Sequence, residues 1–329
     1  MCSLLLGLPF LTLHFGLGML FKENILTDRS WLLSLMISYT FLLLVWNTKT
    51  LRTLTLNLFD LAESESEQFH STIIKQLEGI LSNHRLFCYG TFFGLLNVSF
   101  GVVYGIWYAN PYLVASIVLQ FFVEGFICGM AVCGIVGIVK MIYTFSAQEE
   151  ITINYRAPDK CGGFSKIGNT LLQFSITSLS VGVLISLYIY LSPWTHEGQA
   201  IVKYSIYIWM VFPHFVAISV LFFPLLTLHN MLEKFKSHHD LLLTRRCASI
   251  QNYLGNLLHE SDVKDFHHLT LGVIYYNHMT EMHSKLHSLC TWPFDSRSGS
   301  IYVAGFLVAT LVPVSQLVQL IQAYKTFLQ

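Results

Sequence analysis

The hydrophobic positions of this chain fall into seven long runs separated by polar connections. Runs of at least sixteen predominantly apolar residues cover about 4–21, 31–46, 87–109, 112–139, 168–192, 201–227 and 299–324. Runs of this length are typical of helices that cross a bilayer, which takes roughly 20 residues. The pattern therefore predicts an all-α polytopic fold with seven transmembrane helices. The first run could instead be a signal peptide, but no basic segment precedes it and no small-residue cleavage site follows it.

Composition places the chain in the same class. Hydrophobic residues make up 53% of it and charged residues only 12%, and the mean hydropathy is +0.55. These values lie far outside the range of soluble domains, so we expect a multi-pass membrane protein without a nucleic-acid partner. The sequence contains no phosphate-binding loop and no nucleophile motif, so we predict neither an enzyme nor a cofactor.

Basic residues predict the orientation of the helices. Fifteen of the nineteen Lys and Arg residues lie in the connections 47–86, 140–167 and 228–298. The positive-inside rule places these connections in the cytoplasm, with the N-terminus inside and the C-terminus outside. Apolar residues at helical spacing in 47–86 predict that the second and third spans continue below the membrane. The same spacing in 228–298 predicts three or four cytoplasmic helices that pack together, and the whole chain, 1–329, is expected to form a single domain.

The seventh run carries a polar stripe. Ser315, Gln319 and Gln322 are spaced four and three residues apart, which places them on one helical face. Polar groups at membrane depth are costly unless they face water or another protein segment, so the stripe indicates either a pore or a polar seam between helices. In a pore, Val308 and Val312 on the same face would close the channel by dewetting.

Other polar residues in the apolar runs allow two interpretations each. Glu124 is the one acid well inside an apolar run and is either functional or a partnered residue against a helix. His14 and His214 are single histidines on apolar helices, which favours a core role. Nine of the fourteen histidines lie in 228–298. Among them His283 and His287 are a bare i, i+4 pair, which favours a solvated helix face and no metal site.

Aromatic residues near the predicted outer surface are candidates for a ligand pocket. They are Tyr104, Trp107, Tyr108, Tyr188 and Tyr207, and Glu124 is the one acid we add to them. Aromatic rings suit small organic ligands, but they equally form the interfacial belts of membrane proteins of every function.

The end of the chain carries a motif. Ser315-Gln316 is followed by the five residues 317–321 and then by Gln322, and Phe294-Asp295 lies about twenty residues upstream. This resembles the insect gustatory and odorant receptor superfamily, whose seventh helix ends in Thr-Tyr, five hydrophobic residues and Gln. Gln316 replaces the tyrosine of that pattern, and Gln319 interrupts its hydrophobic run.

The resemblance implies a receptor of the plasma membrane that works as a ligand-gated cation channel. It implies a homo- or heterotetramer in which the seventh helices line the pore, the cytoplasmic helices form a shared anchor, and a small molecule binds among helices 2–6. Lipid surrounds the assembly. The alternative is a transporter or a non-channel membrane scaffold that keeps the same fold.

Overall fold

The computed structural model describes residues 7–21, 31–61, 67–103, 106, 111–147, 153, 157, 159–191, 200–259, 266–294, 299–300, 302–305 and 307, without the side chains of 59–61, 67–70, 200–210, 257–259 and 266–267. The helices are α1 (Leu8–Leu20), α2 (Trp31–Leu61), α3 (Glu67–Ile80), α4 (Asn83–Val103), α5 (Val114–Ser146), α6 (Ser165–Leu191), α7 (Ala200–His259) and α8 (Phe266–His287). Residues 299–300, 302–305 and 307 are also helical. The described residues contain no strand, which confirms the predicted all-α fold.

Five apolar helical segments are long enough to cross a membrane: Trp31–Leu58, Ser71–Val103, Val114–Ser146, Ser165–Leu191 and Val211–Asn256. They indicate a multi-pass membrane protein. Large side chains on their outer surfaces, among them Phe87 and Phe92 on α4 and Phe215 on α7, are exposed as expected for positions facing lipid. Helix α1 has 13 residues and is too short to cross by itself, and the seventh run lies mostly outside the described residues.

Several helices continue beyond their apolar runs. Helix α2 runs unbroken to Leu61, and α3 is separated from α4 only at residues 81–82. Helix α7 spans 60 residues with Pro213 and Pro224 inside it. The separate helices predicted after residue 228 are thus replaced by a continuation of α7 to His259, against which α8 packs. Both prolines lie in the apolar half of α7, where neighbouring helices can satisfy the backbone groups that a proline frees.

Two large apolar clusters lie at different levels of the bundle, and a small third one joins Leu179 of α6 to Ala217 of α7. The first contains Leu51, Leu54, Leu58, Met141, Ile142, Phe145, Phe164, Ile167, Leu171, Leu228 and Leu232 among others. The second contains Leu33, Met36, Ile106, Leu113, Ile117, Phe121 and Tyr188. Helix α2 contributes residues 51–58 to the first cluster and residues 33–36 to the second, so its residues 40–47 lie between the two clusters. This intermediate level holds most of the buried polar side chains that join α2, α5 and α6.

Small residues set the close contact between α4 and α5. Gly90 and Gly94 on α4 face Gly129 and Gly125 on α5, and a Cβ atom added at Gly125 would lie 2.6 Å from the carbonyl oxygen of Phe93. Small residues at spacings of four let transmembrane backbones approach in this way. The side chain of Asn97 crosses the same seam and donates from Nδ2 to the carbonyl oxygen of Phe121 over 2.8 Å.

A tight turn precedes α6. Gly162 and Gly163 adopt φ values of 66° and 93°, a backbone region in which side chains are strained. The Oδ1 atom of Asp159 accepts hydrogen bonds from the backbone N–H groups of Cys161 and Gly163, both over 3.0 Å, and its Oδ2 accepts from that of Ser165 over 3.2 Å. The carboxylate therefore caps the helix N-terminus.

Candidate functional site

A cavity of about 320 Å³ lies at the intermediate level between the two apolar clusters. Its walls come from α2, α4, α5, α6 and α7, with Ile80 from the end of α3. The lining is predominantly apolar, and its polar members include Thr40, Asn47, Asn97, Glu124 and Thr177. A cavity of this size, with few polar groups in an apolar wall, is typical of small-molecule sites.

Glu124 is the acidic side chain of this cavity. It lies on α5 and is only 4% exposed. Its Oε2 accepts a hydrogen bond from Thr40 Oγ1 on α2 over 3.0 Å, and the Sγ of Cys128 lies 3.9 Å from its Oε1. Thr40 Oγ1 also contacts the carbonyl oxygens of Met36 and Ile37 one turn earlier. The carboxyl group is therefore held at a fixed position on the cavity wall.

A polar line on α5 extends from Glu124 away from the first apolar cluster. Gln120 is fully buried; its Oε1 accepts from Ser34 Oγ over 3.1 Å, and its Nε2 donates to Ser116 Oγ over 3.1 Å. The hydropathy pattern identifies Glu124 as an acid inside an apolar run but does not reveal these partners. The sequence feature that indicates them is the spacing of four, which places residues 116, 120, 124 and 128 on one face of an apolar helix.

Helix α2 makes a second set of polar contacts with α6. Asn47 Nδ2 lies 3.2 Å from Thr177 Oγ1, which in turn lies 3.3 Å from Asn47 Oδ1. Three residues further along α6, and about two turns earlier on α2, the hydroxyl of Tyr39 donates to Ser180 Oγ over 3.0 Å. Polar side chains on two faces of α2 thus join it to both α5 and α6 around the cavity.

The structure brings two of the six predicted ligand-binding residues to this cavity. Glu124 and Tyr188 both line it, and Tyr188 is 4% exposed. Tyr188 and Met36 also line an apolar groove of about 540 Å³ between α2 and α6, so these two side chains lie between the two spaces. The other four predictions are untested: Tyr104, Trp107 and Tyr108 lie outside the described residues, and the side chain of Tyr207 is not described.

The predicted pore-lining residues Val308, Val312, Ser315, Gln319 and Gln322 all lie outside the described residues. The start of their run contacts α6. The hydroxyl of Tyr302 lies 2.8 Å from Ser175 Oγ, which also donates to the carbonyl oxygen of Ala217 on α7 over 2.6 Å. Residue 302 is therefore attached to the pair of helices that forms one wall of the cavity.

The two single histidines of the apolar helices are buried, as expected for core residues. His14 on α1 is fully buried and His214 on α7 is 4% exposed. The imidazole of His214 packs against Gly182 of α6, where an added Cβ atom would lie 3.1 Å from its Cε1. The glycine thus provides the space that the ring occupies between α6 and α7.

Comparison with protein-family models, curated proteins and solved structures found no match. The chemistry of the site therefore has to be inferred from its geometry. An apolar cavity with one buried carboxyl group, two amides and three threonine hydroxyls can hold a small organic molecule and orient it by hydrogen bonds.

Proposed function

We propose that this protein is a chemosensory receptor of the gustatory type that works as a ligand-gated cation channel of the plasma membrane. In this proposal the chain crosses the membrane seven times with a cytoplasmic N-terminus, and four subunits surround one pore. The resemblance at the end of the seventh run and the distribution of Lys and Arg support it. The five long apolar helices and the cavity between them are compatible with it.

The observation that carries the proposal is the cavity beside Glu124. It opens among helices that all belong to apolar spans, and its few polar groups converge from α2, α4, α5 and α6. Burying a carboxyl group in an apolar bundle is unfavourable, so a retained one favours a functional role. The ligand class that fits is a small, largely apolar organic molecule with at least one hydrogen-bond donor to pair with Glu124.

A physical connection supports coupling between ligand and pore. The cavity is lined by α6 residues including Thr177, and two residues earlier Ser175 contacts both α7 and Tyr302 at the start of the seventh run. A ligand that separates α6 from α7 would thereby change the position of the seventh run. Ligands shift an equilibrium only through contacts that differ between two states, and this junction provides such contacts.

Polar oxygens without fixed charge are suited to the pore itself. Ser315, Gln319 and Gln322, repeated on four subunits, would supply hydroxyl and amide dipoles that partly replace the hydration water of a cation. Val308 and Val312 would form the dry constriction on the same face. This role follows from helical spacing, and Gln316 falls on a different face.

Whole-cell recording of the expressed protein against a panel of small organic compounds tests the proposal. We expect compound-dependent cation current in the wild type and a reduced response in Glu124→Gln, since the amide keeps the size of the side chain but can carry no charge. A compound-dependent current that is unchanged by Glu124→Gln would show that the ligand does not bind in this cavity.

The buried acid also favours a second candidate, a proton-coupled transporter, because intramembrane acids serve as proton relays in such proteins. Uptake of a compound that depends on a pH gradient, without channel current, would support that function instead.

A further inference from the structure

Three side chains from two helices converge at the polar end of α7. His283 and His287 lie one turn apart on α8, and Asp240 faces them from α7. The Nε2 atoms of His283 and His287 lie 3.0 Å and 3.1 Å from the same oxygen, Asp240 Oδ1. All three candidate ligand atoms lie within 4.8 Å of one another.

Hydrogen bonds do not account for this arrangement. Oδ1 of Asp240 is buried, yet it has no hydrogen-bond partner of acceptable geometry among the described residues. Both imidazole nitrogens lie within ion-pair distance of it, but an imidazole pairs with a carboxylate in this way only when it is protonated. A buried carboxylate oxygen without such a partner is unfavourable, so the cluster is better explained by an atom that all three side chains can bind.

We propose that Asp240, His283 and His287 form a binding site for a zinc-class divalent cation. Zinc binds imidazole nitrogen at about 2.0–2.1 Å and carboxylate oxygen at about 2.0–2.2 Å, which places ligand atoms about 3.3 Å apart in a tetrahedral site. The observed nitrogen-to-oxygen separations are 0.2–0.3 Å shorter than this, so a small opening of the cluster accommodates the ion. Two imidazoles and one carboxylate leave the fourth position to water.

The positions of the three side chains are supported by the surrounding contacts. Lys236, one turn before Asp240, donates from Nζ to the backbone carbonyl oxygens of His287 and Leu289 over 2.8 Å and 3.1 Å. This fixes the end of α8 against α7 independently of any ion. Thr244, one turn after Asp240, places its hydroxyl 3.5 Å from His283 Nε2. The three ligands remain one-third or more exposed, so an ion can enter from solution.

Binding would join α7 to α8. The two histidines alone are a pair on one helix and would attach the ion to α8 only, whereas Asp240 lies on the other helix of this pair. A bound ion therefore stabilises the packing of α8 on α7. The sequence favours a solvated face for the two histidines, since Asp240 is 43 residues away from His283 along the chain.

Zinc titration of the full-length protein purified in detergent, in competition with a chromophoric chelator at neutral pH, tests this site. We expect one tightly bound ion in the wild type. Asp240→Asn, His283→Gln and His287→Gln should each weaken binding by at least about tenfold, because even residues that only orient a ligand affect metal affinity by that factor. His278→Gln is the matched control, since His278 is an exposed histidine of α8 outside the cluster, and it should bind as the wild type does.

Two further measurements keep the test decisive if a variant does not fold. Zinc should raise the unfolding temperature of the wild type and of His278→Gln, but not of a folded ligand variant. X-ray absorption of the zinc-loaded wild type should show imidazole nitrogen and carboxylate oxygen around the metal. Absence of tight binding, equal weakening in His278→Gln, or sulfur ligands in the absorption spectrum would overturn the proposal.

Discussion

Replacing Gly125 with Ala tests the seam between α4 and α5. A Cβ atom there would lie 2.6 Å from the carbonyl oxygen of Phe93, 2.7 Å from Cβ of Asn97 and 3.0 Å from Cα of Gly94. Two of these neighbours are backbone atoms, so no side-chain rotation can relieve the contact. Ordinary contact begins near 3.4 Å, and the two helices must therefore separate by about 0.8 Å.

The size of the effect follows from two opposing terms. Ala in place of Gly in a helix stabilises by about 0.5–1 kcal/mol because the unfolded chain loses freedom. Overpacking of a tight interface destabilises by about 1–3 kcal/mol. Gly134 on the same helix has no atom within 4 Å of an added Cβ atom, so Gly134→Ala gains the first term alone. Both variants gain the first term, so we expect them to differ by the second alone, about 1–3 kcal/mol, with Gly125→Ala the less stable.

The free energy of unfolding can be measured by titrating the detergent-solubilised protein with SDS and following helix content. The comparison between Gly125→Ala and Gly134→Ala cancels the propensity term, because both positions lie in the interior of α5. Equal free energies of unfolding for the two variants would refute the close packing of α4 on α5.

Two further predictions concern Asp159 and the Thr40–Glu124 pair. Burial raises the pKa of Asp159, but hydrogen bonds from backbone N–H groups outweigh it and lower the pKa below its ordinary 3.8. A carboxyl group whose pKa is lower in the folded state stabilises the folded protein at pH values above its unfolded pKa. The unfolding temperature of the wild type should therefore fall as the pH drops below 3.8. Asp159→Asn should lose less thermal stability over the same pH range. For the pair, a double-mutant cycle of Thr40→Val and Glu124→Leu should give a coupling of about 0.6 kcal/mol, at most about 1.7, in SDS unfolding, and zero coupling would contradict the contact.

The all-α fold and the position of the apolar helices could be predicted from the sequence, because run length and hydropathy depend only on local composition. The ends of the helices could not be predicted in this way. The 60-residue α7 has two prolines at positions that a sequence alone treats as possible breaks, and only tertiary packing decides that Pro213 and Pro224 are tolerated.

The cavity shows the same division. Glu124 could be identified because an acid in an apolar run is unusual. Its partner Thr40 lies 84 residues away, so the contact depends on how α2 packs against α5. Gln120 was not predicted, because a neutral amide in an apolar run is less unusual than an acid. Its spacing of four from Glu124 is nevertheless visible in the sequence. The contact between Asp240 and His283 has the same origin as that between Thr40 and Glu124: two helices that are distant in the chain pack against each other.

The central claim, a cation pore lined by the seventh run, is tested most directly by whole-cell recording of three leucine variants. Gln319→Leu and Gln322→Leu remove amide dipoles from the proposed pore face, and Gln316→Leu removes one from a different face of the same helix. We expect the first two to shift the reversal potential or abolish the current, and the third to keep the wild-type current. A current insensitive to both Gln319→Leu and Gln322→Leu, or no cation current in the wild type, would contradict the proposed pore.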